Sequence, residues 1–182
     1  MSIAALLIAT KTHLVTTLGL DPAKHIDALD TGQPSPFVGQ LYYVVHPTSW
    51  ESTNPDPADT LDETYGLSVT ITQRSAVAPR DKHASEIFLK AITGLGRQAR
   101  EVMVAVHLNY DLMNAANALM TGEEKLCEPL RFRGADASPR TVDGDWFFAE
   151  ADKASGMVLE VRFGGARRIQ AVHKHGGADV VE

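Results

Sequence analysis

Six consecutive residues have the spacing of a phosphate-binding turn: Gly94-Leu95-Gly96-Arg97-Gln98-Ala99 fits Gly-x-Gly-x-x-Gly/Ala. In such a turn, glycines let backbone amides approach a pyrophosphate at the start of a helix. The surrounding sequence opposes that use. Residues 87–92 have helical spacing where the motif needs a strand, and residues 109–120 read as a helix where a second parallel strand should lie. No alternating series of strands and helices runs along the chain. The expectation is a break between two helical segments, where glycines permit close packing. A nucleotide-binding enzyme built on this turn is the alternative from a different functional class.

The other reactive residue types are dispersed. His173-Lys174-His175 would put two imidazoles on one face of a strand, but only Asp179 offers a third ligand, so a solvated terminus is expected. Asp56, Asp59, Asp62 and Glu63 share the composition of a calcium loop without its spacing or its turn glycine. His13, His25, His46, His83 and His107 fall on different elements. Cys127 stands beside Glu128 with no local activator and reads as a small buried residue. No nucleophile-elbow, zinc-protease or Walker motif occurs. Neither a catalytic constellation, a cofactor nor a metal is expected. Two basic pairs remain, Arg131 with Arg133 and Arg167 with Arg168. The first pair shares a face if it lies on a strand, and could meet acids of a neighbouring subunit.

The elements that must position these residues are led by residues 62–75. From Thr64 to Arg74 the stretch alternates strictly, with Tyr65, Leu67, Val69 and Ile71 on one side. Thr64, Ser68, Thr70, Thr72 and Arg74 take the other, the period-two signature of a strand with one buried and one wetted face. Such a strand would reach roughly 35 Å at about 3.3 Å per residue. Its polar side, Thr70, Thr72 and Arg74 above all, is the candidate surface for a neighbour.

Before it, Ser2 caps a helix to about Leu18, with Ile3, Leu7, Leu14 and Leu18 on its apolar face and Gly19 ending it. Asp21-Pro22 begins a turn, and residues 25–29 are one more turn or a short strand. Residues 38–46 are a second strand, stopped by Pro47 and paired antiparallel with the long one. Residues 47–61 are read as a long loop holding Pro47, Pro55 and Pro57, with Trp50 as either a plug onto the hairpin or a partner contact. Helical spacing resumes after Asp81 and runs to His107, followed by a helix over 109–120 that Gly122 stops. Residues 130–133 form a short strand and 134–145 a polar loop, followed by the apolar anchor Trp146-Phe147-Phe148. Residues 157–163 alternate again, Gly164-Gly165 turns the chain, and 167–172 return as a hairpin partner.

The whole is expected to be an α+β fold, mostly antiparallel sheet with a long β-hairpin, packed against the N-terminal and central helices. Residues 1–182 are read as one domain, with a core over 1–121 and 156–173, an insertion over 122–155 and a loose tail over 174–182. Hydrophobic residues make up 44% and charged residues 22%, which fits a globular chain with a real core. The net charge of −6 argues against a general nucleic-acid or anionic-membrane binder. One cysteine excludes an internal disulfide framework and points to a reducing compartment. The apolar run over residues 3–9 lacks the positive flank of a signal peptide and is too short for a span, so a soluble protein, intracellular at synthesis, is expected.

The opening helix over 3–18, the hairpin of 41–46 with 61–74, the helices through Met120, and the closing Phe163-Gly-Gly-Ala-Arg-Arg-Ile-Gln170 together resemble the tail terminator proteins of long-tailed bacteriophages, also called tail completion or head–tail joining proteins. The resemblance covers most of the chain, and the chain departs from it chiefly by its extra length over 122–155. It implies a subunit of a homo-oligomeric, hexameric ring at the head-proximal end of the tail tube. That ring would stop tube polymerisation, meet the tube protein and the head–tail connector, and let genome DNA pass through its lumen without specific binding. Another neck or tail component, such as a connector, stopper or tube-like protein, is the nearest alternative. Trp50, Thr70, Thr72, Arg74, Arg131, Arg133, Arg167 and Arg168 are the expected contacts with neighbours.

Overall fold

The computed structural model describes residues 2–28, 41–56, 60–74, 84–120, 125–140 and 156–170. In chain order the elements are α1 (Ser2–Leu18), β1 (Ile26–Ala28), β2 (Leu41–Asp56), β3 (Thr60–Arg74), α2 (Ala84–Val106), α3 (Tyr110–Leu119), β4 (Arg131–Arg140) and β5 (Gly156–Gln170). The five strands form one sheet in the order β1-β2-β3-β5-β4. β1 runs parallel to β2 and every other pairing is antiparallel. The fold is α+β, as expected, with a single parallel edge pair.

β3 lies at the centre, bonded to β2 on one side and along its whole length to β5 on the other. Its apolar side is as the alternation predicts: Leu67, Val69 and Ile71 are fully buried and Tyr65 nearly so. Side chains level with them in the register, Tyr43 and Val45 on β2 and Val161 and Phe163 on β5, complete one apolar face. Each such side chain contributes about 1.5–3 kcal/mol through burial. Phe132 from β4 meets Phe163 edge to face, with ring centroids 6.2 Å apart.

The helices cover this face. α1 packs over β1 and β2, α2 over β3, β5 and β4, and α3 lies against α1. α1 is apolar around most of its circumference and is correspondingly sunk into the core through Ala5, Leu6, Leu7, Ala9 and Leu14. The hydroxyl of buried Thr10 donates to the Leu6 carbonyl at 2.8 Å, so it carries no unmet polar cost. Gly19 adopts φ +64° and the Leu20 amide bonds back to Val15 O at 3.1 Å, a left-handed helix stop that only glycine enters freely. α3 starts where Asn109 accepts from the Leu112 amide at 3.0 Å. Tyr43 donates its hydroxyl to Gln98 Oε1 of α2 at 2.7 Å, which ties the sheet to the helix. Burial, reinforced by nearby Glu101, pushes the Tyr43 phenol up to about 12.

Several expectations are corrected. Pro47 does not stop β2, which runs on to Asp56, so the loop expected over 47–61 is mostly strand and Trp50 stands opposite Tyr65. The physical reason lies in the sheet order. Among the described residues β1 pairs with 43–45 alone and no strand lies beside Pro47 or Pro55 on that side of β2, and Pro47 borders a register shift. An edge or bulge tolerates a missing amide hydrogen. Likewise, Gly164-Gly165 is not a turn. β5 passes straight through it, because Gly164 and Gly165 pair with Gly66 and Tyr65 of β3.

Residues 134–140 belong to β4, so part of the stretch expected to be an insertion is the sheet's other edge strand. Within the segment 25–29, Ile26–Ala28 form the strand β1. α2 is continuous across Gly94 and Gly96, and no atom of another element lies within 4 Å of where their Cβ would be, so these glycines serve no close packing. The second face of β3 is not uniformly wet either. Ser68 and Thr72 are buried, because cross-strand partners occupy their hydroxyls: Ser68 donates to Glu160 Oε1 at 2.7 Å and Thr72 to Tyr42 O at 3.3 Å. The helix cap at Asp81, the anchor at residues 146–148 and the tail from His173 lie outside the described residues.

Candidate functional site

The sheet face away from the helices holds a cleft of about 440 Å³. It is organised by two glycines. Gly66 of β3 and Gly164 of β5 are paired directly, and on either side the neighbouring strand bulges at the same level. On β2 the register slips between Pro47 and Ser49, leaving Thr48 as the extra residue. On β4 it slips between Phe132 and Gly134, leaving Arg133. Bulges of this kind re-aim a side chain out of the regular pleat.

Here both re-aimed side chains fold over the glycines. A Cβ at Gly66 would fall on the Thr48 hydroxyl and come within 2.6 Å of Ser49 Oγ. A Cβ at Gly164 would lie 2.7 Å from Arg133 Nε. The absent side chains therefore make room for Thr48, Ser49 and the Arg133 guanidinium. Thr64, Glu51 and Arg162 complete the polar wall. The lining carries two arginines and one carboxylate, with the aliphatic hydroxyls of Thr48, Ser49 and Thr64 beside them, in a chain whose overall charge is −6. Such a set can donate many hydrogen bonds to an oxyanion and supplies no obvious nucleophile–base pair.

The start of β4, which carries Arg133, is held by the α2–α3 corner. Leu108 donates its amide to Leu130 O at 2.8 Å, and Phe132 donates its own to His107 Nδ1 at 3.0 Å. Asn117 of α3 fixes the approach to β4 by bonding both the amide and the carbonyl of Leu126, at 2.7 and 3.2 Å. Leu108 itself takes φ +52° at this corner.

Of the residues singled out from sequence, Arg133 enters the cleft. Arg131 lies beside it on exposed surface and pairs with Glu128 at 3.3 Å. Thr70 is half-buried with its hydroxyl 2.8 Å from His46 Nε2, and buried Thr72 presents no surface to a neighbour. Arg74, Arg167 and Arg168 stand opposite Gly156, Glu63 and Asp62 in the register, so the last two face acids of the same chain. Their side chains and that of Trp50 lie outside the described set. Residues 94–99 occupy the middle of α2, whose backbone amides bond within the helix, so the geometry of a phosphate turn is absent there.

Cys127 is exposed, not buried as expected, because the segment between α3 and β4 turns Leu126 and Leu130 inward instead. Among the described residues, no group of three or more His, Cys, Asp or Glu side chains is placed to hold a metal ion. His83 and the histidines of the tail lie outside that set. Sequence reasoning missed Gly66, Gly164, Arg162 and Thr48. The signal was present at Gly66: a glycine inside a strictly alternating strand marks a bulge or a close approach. No family model matches the chain, and no curated protein matches it.

Proposed function

We propose that this chain is a structural subunit of a long-tailed bacteriophage virion. In this reading it is a tail terminator that closes into a ring at the head-proximal end of the tail tube. The observation that carries the reading is the pair of open sheet edges. Among the described residues, no strand lies beside β2 over residues 46–56 on the β1 side, and β4 is the last strand on the other. The two edges lie on opposite sides of β3 in the strand order, and the sequences of their strands differ in charge. β4 contains Arg131, Arg133 and Arg140 against Asp136, whereas β2 contains Glu51 and Asp56 and no basic residue apart from histidine.

An open edge is a template for pairing with another chain, and a head-to-tail contact between unlike surfaces generates rings when the rotation closes. The long β2–β3 hairpin adds reach, since its strands continue beyond Tyr65, the last core side chain described on β3. The net charge of −6 suits a ring through which DNA slides, because cationic phosphate contacts would hold it. The tube protein on one side and the head–tail connector on the other are the proposed partners. Another neck ring would use the same edges, and affinity for tube protein separates the two.

Light scattering coupled to size-exclusion chromatography, followed by negative-stain imaging, tests the proposal. A closed ring that caps preformed tail tubes is the expected result. Reversing charge on β4 with Arg131→Glu and Arg140→Glu should leave a folded monomer that no longer closes. A wild-type chain that stays monomeric at high concentration and ignores tail tubes would sink the proposal.

A further inference from the structure

Among the described residues β4 is the last strand of the sheet, so one side of its backbone has no strand to bond. At its start that side is occupied by the α2–α3 corner. The Phe132 amide donates to His107 Nδ1 at 3.0 Å, so it is not one of the bonds to β5 and points to the open side. Two residues earlier, the spacing at which an extended chain repeats its backbone direction, Leu130 O accepts from the Leu108 amide at 2.8 Å. His107 and Leu108 thus stand in for a neighbouring strand, the ring supplying the acceptor and Leu108 the donor. Leu108 does so at φ +52°, a left-handed conformation uncommon for leucine, which the surrounding contacts must hold. We propose that His107 is a proton-sensitive guard on the β4 edge: the neutral ring closes the edge at Phe132, and the imidazolium opens it to another strand.

The chemistry follows from what each group can do. An amide only donates, so its bond needs Nδ1 without a proton. The neutral ring meets this as the Nε2–H tautomer, whereas the imidazolium carries a proton on both nitrogens and sets donor against donor. The Phe132 N–H is then left on an open edge, where an added strand can take it. Imidazole is the side chain that ordinarily changes charge between pH 5 and 8. The charged groups of the elements meeting at this corner are Glu101 on α2, Asp111 on α3, Lys125 and Glu128 before β4, and Arg131 and Arg133 on β4. Glu101 pairs with Arg97 at 3.7 Å and Glu128 with Arg131 at 3.3 Å, while Arg133 lies across Gly164. Asp111 and Lys125 are exposed and of opposite sign. The guard acts on the edge that ring closure would use, but its opening is a property of one chain and requires no ring.

Amide exchange of the full chain, followed by NMR and expressed as protection relative to an unstructured peptide at the same pH, reads the guard directly. Protection at Phe132 should fall reversibly by roughly two- to tenfold from pH 7.5 to pH 5.0, the span expected for loss of one hydrogen bond. The Leu112 amide, which donates to the non-titrating Asn109 Oδ1 at the same corner, should hold its protection. His107→Asn places an oxygen on Cγ where histidine carries Nδ1, so Phe132 should stay protected at both pH values. His107 is exposed, so the substitution is expected to keep the fold, and protection at Leu112 checks this. Without any variant, NMR of the histidine ring nitrogens at pH 7.5 should show His107 as the Nε2–H tautomer. Protection at Phe132 that does not move with pH, an equal fall in folded His107→Asn, or a proton on Nδ1 at pH 7.5 would overturn the proposal.

Discussion

Replacing Tyr43 with phenylalanine should change the stability of this protein in opposite directions at neutral and at alkaline pH. The Tyr43 ring is buried, and its hydroxyl donates to Gln98 Oε1 at 2.7 Å. At pH 7 the variant loses that bond while the half-buried amide of Gln98 can turn to water, so the cost is about 1 kcal/mol. The alkaline behaviour follows from the phenol itself. Its pKa is raised from 10.0 to about 12 in the folded chain, chiefly because burial disfavours the phenolate.

Below pH 10 both states keep the proton, and the neutral phenol's contribution is intact. As pH rises from 10 towards 12 the unfolded chain ionises first, and the wild type loses stability. Two pKa units correspond to at most about 2.7 kcal/mol. The Tyr43→Phe variant has no phenolic proton to lose at this position. Urea unfolding of both proteins at intervals from pH 7 to pH 12 should therefore show the wild type ahead by about 1 kcal/mol at the start and behind at the end. All other titrating groups are common to the pair and cancel in the difference. A stability gap that does not change with pH would refute the assignment of this phenol as buried and neutral.

Leu67→Asp places a carboxylate at a fully buried position on the central strand and should cost more than about 4 kcal/mol, leaving a chain without a cooperative unfolding transition. Gly96→Ala should act the other way. The site is helical, exposed and open to at least 4 Å, so thermal unfolding should show a gain of up to about 1 kcal/mol. Asn117→Ala removes both bonds to Leu126, whose own backbone groups then lose their partners. A loss of about 1–3 kcal/mol is expected in denaturant titration, together with faster amide exchange at Leu126.

The parts of the fold legible in the sequence were those governed by local period and local stop signals. The strict alternation from Tyr65 to Ile71 marked the buried side of β3, and Gly19 and Asn109 marked helix ends, because each acts within a few residues of itself. What stayed hidden depended on partners distant along the chain. Pro47 and Gly164-Gly165 were read as breakers. Their meaning depends on where β1 lies beside β2 and on how β5 aligns with β3, and neither fact is written in the neighbouring residues. Thr72 looked like surface because its own strand says polar, whereas β2 supplies the carbonyl that buries it. The cleft was the least legible feature, since Arg133 and Gly164 meet only through a bulge on one strand and a pairing on another. Arg131 and Arg133 are read from sequence as partners of a neighbour's acids, and nothing in their spacing points to the glycine that one of them lies across.

The placement of β3 between β2 and β5 also bears on how the chain is made. Its first partner is local: β2 ends at Asp56 and β3 begins at Thr60, so the two can pair as soon as both have left the ribosome. Its second partner arrives late, for Ser68 and Glu160, which bond across the β3–β5 pairing, lie 92 residues apart. At a synthesis rate of about 5–20 residues per second, the second edge of β3 waits on the order of 5–20 s for its partner. During that interval a long strand rich in β-branched residues stands open, and closing such a distant pairing is intrinsically slow. Nascent copies on one message thus carry the same unpaired edge in close proximity, a setting in which strand exchange between chains competes with completion of each sheet.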